Sequence, residues 1–233
     1  MSPPSAAQLG TLVAAWVLYG LIHSLLASFM VKGIVARHWR AAARGYRLAF
    51  NAIAALLLVP PAWLTFELRG PLLWEWSGAW AWLGNGLALA ALAGFAWTTR
   101  HYDMGSFSGF AQWRARSHPP PHEEGRLQLS PLHRIVRHPW YFLGLLILWT
   151  RDMDAARLTS SLCVTAYLWI GSLLEERKLL ALHGAPYARY RAAVAGLVPL
   201  PGRFLTREQA EALLAESDTP APAKAFRNGG GGV

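Results

Sequence analysis

The chain has 233 residues, 54% of them hydrophobic and 15% charged, with a mean hydropathy of +0.24. A soluble domain carries about 25% charged residues, so this composition excludes an ordinary soluble domain and points to a chain embedded in a membrane. The net charge of +9 does not mark a nucleic-acid binder, because the basic residues stand between long apolar runs, as in membrane-surface loops.

A single cysteine, Cys163, lies in an apolar run, which excludes an internal disulfide and a cysteine-based metal site. No Lys or Arg precedes Lys32. The positive region of a cleaved signal peptide is therefore missing, and the first apolar segment is expected to be retained.

Five apolar segments follow in chain order: residues 8–30, 46–67, 79–99, 139–150 and 155–174. The first three approach the ~20 residues that a helix needs to cross ~30 Å of hydrocarbon. The fourth is half that length and the fifth is full. Between them stands a charged tip, RDMD, with Asp152 and Asp154 expected in solvent. The prediction is an all-α integral membrane bundle of about five transmembrane helices, the fourth short and paired with the fifth as a hairpin. A chain break of this kind is tolerated where backbone lines a polar cavity. Pro60 and Pro61 predict a kink or unwinding in the second helix, since each removes a backbone donor.

Nineteen of the Lys and Arg residues fall on one side of this arrangement and three (Arg69, Arg151, Arg157) on the other. The positive-inside rule then places the N-terminus outside and the C-terminus in the cytoplasm. Residues 1–205 are read as the membrane domain. Residues 206–216 are read as a short cytoplasmic helix with a Thr206/Gln209 capping box, and residues 217–233 as a disordered tail. In the loop between segments three and four, Asp103 is read as a helix cap or a partner of Arg100. His118, His122 and Glu123 flank a proline run that holds them extended, and no fourth ligand accompanies them, so no metal is expected.

Two stretches carry chemistry. In LHRIVRHPWYFLG, Pro139 suits the first helical position, with His138 at the cap. The free N–H groups of the first turn and the helix dipole favour an anion there. Arg137 beside it can grip a carboxylate with two parallel hydrogen bonds. Tyr141 lies one turn in, and Gly144 permits close approach. The plainer alternative is a snorkelling arginine and an interfacial Trp140/Tyr141 belt. In SLLEERKLLALHGAPYARY, Glu175 and Glu176 oppose the dipole at a helix C-terminal end. Lys178 is expected to pair with Glu175, whereas Glu176 has only leucines at local offsets and needs a distant partner. His183-Gly184 reads as a glycine cap, and Tyr187 and Tyr190 share a face. Carboxylates, tyrosines and an arginine-bearing helix start together suit a zwitterion with hydroxyls, as in S-adenosylmethionine.

These blocks resemble the isoprenylcysteine carboxyl methyltransferase superfamily of integral-membrane, S-adenosylmethionine-dependent methyltransferases. The pattern is carried by Arg137, His138, Pro139, Tyr141, Gly144, Glu175, Glu176, Gly184, Tyr187, Tyr190 and Val194. Within it, LIHSLLASFMVKGI and RLTSSLCVTAYLWIGSLLEER are similar to the bacterial methanethiol S-methyltransferase branch. A related NnrU-like branch usually carries Trp where Tyr141 stands, together with a His-rich helix. The resemblance implies a protein of the bacterial inner membrane. It also implies methyl transfer from S-adenosylmethionine, held by Arg137, His138, Pro139, Tyr141, Gly144, Glu175, Glu176, Tyr187 and Tyr190, to a small or lipid-linked thiol or carboxylate. A non-catalytic membrane protein on the same scaffold and a phospholipid N-methyltransferase are the alternatives.

A thiol acceptor must lose a proton, since free thiols have a pKa near 8.5. His23 is the candidate base, because an ionisable group in mid-span marks function by default. A helix–helix hydrogen bond is its other reading. His138 is the rival base.

Overall fold

The computed structural model describes residues 2–114, 127 and 129–217. Helix α1 (Ala6–Ala27) opens on a Ser5/Gln8 capping box and ends at Ser28, which in turn caps α2 (Phe29–His38). A single turn, α3 (Arg40–Ala43), leads into α4 (Tyr46–Glu67), and β1 (Leu72–Trp74) leads into α5 (Gly78–Thr98). The short helices α6 (Met104–Ser108) and α7 (Phe110–Arg114) follow, with the Asp103 carboxylate capping α6. Helix α8 (Pro139–Trp149) is joined through β2 (Met153–Asp154) to α9 (Ala155–Ala193), and α10 (Arg207–Ser217) closes the described chain.

Among the described residues, four helices are long and apolar enough to cross a membrane, and α8 is a shorter apolar helix. The expected all-α membrane bundle is therefore observed, with four full spans and one half span. Helix α1 packs on α4 and α9, α5 packs on α8, and α8 meets α9. Large apolar side chains cover the outside, up to Trp82 at 82% exposure, as expected where hydrocarbon replaces water.

Polar side chains hold the helices to one another inside. Trp16 Nε1 donates to Ser160 Oγ at 2.9 Å, and Ser160 and Thr65 share a 2.6 Å hydrogen bond. Trp140 Nε1 donates to Thr98 and Trp149 Nε1 to Thr165, both at 3.0 Å. Such bonds join transmembrane helices where no hydrophobic drive separates helix from lipid. At Gly20 an added Cβ would meet the Tyr167 ring at 3.0 Å, so the absence of a side chain sets how closely α1 approaches α9.

Several expectations need correction. Pro60 and Pro61 do not unwind α4, which is helical from Tyr46 to Glu67; prolines are tolerated in spans packed among other helices. The RDMD tip is not simply solvated. Asp154 is buried, its carboxylate accepts from the Arg157 N–H as the cap of α9, and β2 pairs antiparallel with β1. Asp152 accepts from the Trp76 N–H at 2.9 Å. The tip is thus tied to the loop between α4 and α5.

Helix α9 runs past residue 174 and breaks its helical path only at Gly184, with φ of 57° and ψ of −128°. That left-handed φ suits glycine, and Pro186 then stands in the first turn of the resumed helix, where its missing N–H costs nothing. The capping box before α10 forms in both directions, with Thr206 N–H to Gln209 Oε1 at 2.8 Å and Gln209 N–H to Thr206 Oγ1 at 3.2 Å. Ser217 belongs to this helix. The rest of the expected disordered tail, and His118, His122 and Glu123, lie outside the described residues.

Candidate active site

The start of α8 is fixed by backbone before any side chain acts. Val136 forms a parallel bridge with Ala195; the Arg137 N–H donates to Ala195 O at 2.8 Å and the His138 N–H to Gly196 O at 3.2 Å. Pro139 begins the helix with His138 at its cap, as its lack of an N–H favours. The end of α9 is thereby held beside the start of α8.

Side chains complete the junction. Arg137 Nε and Nη2 lie 2.8 and 2.7 Å from Glu176 Oε1. Its Nη1 donates to the carbonyls of Arg191, at 2.8 Å, and Val194. Glu176 is 5% exposed, and its other oxygen lies 3.5 Å from Arg191 Nε. The distant partner that Glu176 required is Arg137. Buried His138 is held between the two carboxylates, with Nδ1 3.4 Å from Glu175 Oε2 and Nε2 3.2 Å from Glu176 Oε1. Its ring stacks on Tyr141 at 5.2 Å and 9°, and the Tyr141 hydroxyl donates to Glu175 Oε2 at 3.3 Å. Lys178 does not pair with Glu175; its Nζ sits 4.9 Å over the Phe29 ring.

Tyr187 and Tyr190 are buried in edge contact at 5.7 Å, within an apolar cluster that includes Leu205 and Leu213. The Tyr190 hydroxyl donates to the carbonyl of His133 at 2.8 Å. His133 caps its own turn: the Ser130 N–H donates to His133 Nδ1 at 3.2 Å, and Ser130 Oγ lies 2.8 Å from the same nitrogen. Burial pushes the His133 imidazole down to about 4; the His138 charge adds to this and Glu175 opposes it. Burial also raises the Tyr102 phenol, helped by the negative charge of Glu175 and opposed by a hydrogen bond from Ser130.

A cavity of about 660 Å³ connects these groups to the interior of the bundle. Arg137, Tyr141, Glu175, Tyr187 and Tyr190 line it near the junction; His23, Ser24 and Tyr167 line it within the spans. His23 Nδ1 shares a 2.6 Å hydrogen bond with the Tyr167 hydroxyl, and its ring stacks on Tyr19 at 5.6 Å and tilts against Phe50 at 5.0 Å. Both readings of His23 meet here: the residue bonds across helices, and it faces the cavity.

Pro139, Gly144, His138 and Glu176 do not line the cavity. Space beside Gly144 is open, while the His138 nitrogens are both turned to carboxylates.

Sequence reasoning missed Tyr167, Tyr102 and His133. Tyr167, Gly171, Glu175 and Lys178 line one face of α9 at steps of four, four and three; stepping backward from the glutamates along a helical period would have found Tyr167. For Tyr102 and His133 no periodic signal exists, because Tyr102 ends one short 3-10 turn and His133 lies in another (Pro131–Arg134), and a single turn is too short to show a period.

No family model and no solved structure matches the chain. Three relatives do. The chain is 33% identical over 188 residues to Methanethiol S-methyltransferase 2 of Bradyrhizobium diazoefficiens, covering 78% of this chain and 70% of the relative. It is 33% identical over 119 residues to Methanethiol S-methyltransferase of Pseudomonas deceptionensis, covering 51% and 43%. It is 31% identical over 163 residues to Methanethiol S-methyltransferase of Mycobacterium tuberculosis, covering 65% and 62%. At that identity and coverage, the chain belongs to the methanethiol S-methyltransferase family.

Proposed function

We propose that this integral-membrane chain transfers a methyl group from S-adenosylmethionine to a small thiol of the methanethiol class. The observation that carries this reading is a continuous cavity joining a carboxylate- and tyrosine-lined junction to a histidine within the spans.

The residues fit the donor. The cavity volume lies within the ~300–1,000 Å³ usual for cofactor sites. Glu175, with the Tyr141 hydroxyl beside it, offers acceptors to an ammonium and to ribose hydroxyls. Tyrosine rings offer faces to a cationic sulfur. When bound, S-adenosylmethionine supplies an electrophilic methyl group on that sulfur.

Arg137, His138 and Glu176 are engaged with one another, so their role is to hold the two helix ends in register. Tyr141, Glu175, Tyr187 and Tyr190 face the ligand. Arg47, whose Nη1 donates to the Ser106 carbonyl, and Lys178 also line the cavity and are the cations proposed for the methionine carboxylate. Pro139 starts the helix that carries Tyr141, and Gly144 keeps its next turn free of a side chain.

At the other end, His23 removes the thiol proton. Its Nδ1 is committed to Tyr167, so the proton goes to Nε2, and the sulfur is left as a thiolate. Both ring nitrogens of His138 face carboxylates, which leaves it unsuited to this task. A site shielded from water by apolar spans weakens solvation of the thiolate and favours its reaction.

The membrane domain is read as residues 1–205, and the distribution of positive residues supports an orientation with the N-terminus outside and with α10 and the C-terminus in the cytoplasm. A reporter enzyme fused to the C-terminus and active only outside would reverse this assignment.

The function is tested with protein folded in detergent or nanodiscs. Calorimetry should detect S-adenosylmethionine binding, and labelled methyl groups should pass to methanethiol in preference to an isoprenyl cysteine or a phospholipid amine. Absence of donor binding would favour a non-catalytic scaffold. Preference for the lipid amine would reassign the acceptor.

A further inference from the structure

His133 is a cavity-lining imidazole that neither the helix-end junction nor His23 chemistry uses. Its surroundings determine which of its atoms is available. A backbone N–H can only donate, and the Ser130 N–H points at Nδ1 from 3.2 Å. Nδ1 must therefore be the unprotonated acceptor, with Ser130 Oγ 2.8 Å away as a second partner. The neutral ring consequently carries its hydrogen on Nε2, and no hydrogen-bond partner for Nε2 occurs among the described residues. The backbone beneath the ring is held as well, since the Tyr190 hydroxyl occupies the His133 carbonyl.

This end of the cavity differs from the rest. The Tyr102 ring lies 6.4 Å from His133, and Leu127 and Leu129 add apolar lining. A lining of aromatic and aliphatic groups with one fixed N–H donor suits a planar heterocycle that accepts a hydrogen bond in its own plane. The carboxylate-rich junction lies next to it, where a ribose attached to such a heterocycle would fall.

We propose that His133 Nε2–H donates a hydrogen bond to a ring nitrogen of the methyl donor's purine, with Tyr102 and Leu129 bounding the base. The inference rests on the S-adenosylmethionine reading and names the part of that ligand which this end of the cavity recognises. Burial and the nearby His138 charge hold the ring neutral against the opposing pull of Glu175. Tyr102 and the Tyr190 hydroxyl are the other titratable groups against it. Donation to the purine is therefore expected to persist across the neutral range.

The test compares binding of S-adenosylhomocysteine with its 1-deaza, 3-deaza and 7-deaza purine analogues, measured by calorimetry on the full chain in nanodiscs. One analogue should bind about three- to tenfold more weakly than the parent nucleoside, as loss of a single hydrogen bond implies. The His133→Phe variant should bind the parent ligand and that analogue equally. Equal binding of all four ligands by the unaltered protein overturns the proposal, and this arm needs no variant to fold. So does a His133→Phe variant that keeps the discrimination. Failure of the folded, unaltered protein to bind S-adenosylhomocysteine at all instead removes the donor reading, and this contact with it.

Discussion

The two ends of the cavity differ in how completely their polar atoms are occupied. At the helix-end junction Arg137 reaches Glu176 and two carbonyls, and His138 faces a carboxylate from each nitrogen. Within the spans His23 holds, among the described residues, one hydrogen-bond partner, Tyr167, through one nitrogen. An arrangement with its donors engaged resists change and serves to hold geometry. One with a free nitrogen can accept a proton. On the proposed function, Arg137, His138 and Glu176 hold the first region together, and His23 supplies the chemistry in the second.

The sharpest way to break this contrast is at Arg137. Arg137→Ala leaves Glu176 buried without its partner, a change that costs about 3–5 kcal/mol, and donor affinity should fall more than tenfold. Thermal unfolding in detergent and calorimetry read both. Replacing the pair together, Arg137→Met with Glu176→Leu, should recover much of the stability without recovering binding. If Arg137→Ala melts and binds like the parent, the junction is not structural.

His23→Ala should do the opposite. Turnover at neutral pH should fall by about 10²–10⁴, the usual contribution of a general base, with donor affinity and melting temperature little changed. The deficit should narrow at alkaline pH, where the thiol ionises unaided. A pH–rate profile parallel to the parent's would remove His23 from the mechanism.

A third experiment follows stability against pH. His133 titrates near 4 in the folded chain and near 6.5 when unfolded. Between those values the unfolded state binds more protons, so stability rises with pH from about 4 to about 6.5 and is lost again on acidification through the same window. The amount is at most about 3 kcal/mol. His133→Phe should flatten that slope in chemical-denaturation midpoints measured from pH 4 to 7, and an unchanged slope would assign it to other groups.

The smallest effect is expected at Tyr167. Tyr167→Phe removes one neutral hydrogen bond, about 0.5–1.5 kcal/mol, but frees His23 to rotate. The pH–rate profile should shift while donor affinity holds. A change in affinity with no change in profile would mean that Tyr167 belongs to the donor end.

Much of this molecule is legible in one dimension, and the limits are physical. The bounds of α4 and the start of α8 at Pro139 follow from hydropathy and from the proline's missing donor, both local properties. So does the requirement that Glu176 find a distant partner, since its neighbours at helical offsets are leucines. The identity of the partner does not follow from local sequence, because Arg137 stands 39 residues away. The carboxylate-gripping reading of Arg137 treated a free guanidinium as given, and free donors can be counted only once the fold is known. Hydropathy also cannot reveal that β1 pairs with β2, since three- and two-residue strands have no periodicity to detect. The neutral tautomer of His133 depends on one backbone N–H from Ser130, which no pattern of side chains records.

The parallel bridge between Val136 and Ala195 has a consequence for biogenesis. Its bonds join Arg137 and His138 to residues made 58 positions later. During synthesis the first four apolar segments emerge well before Ala195 and Gly196 do, so the junction cannot close until the last span is complete. A nascent chain halted before residue 195 would insert its helices yet lack a ligand-ready mouth. The junction between the two helix ends is therefore completed late, after the membrane has already accepted the scaffold.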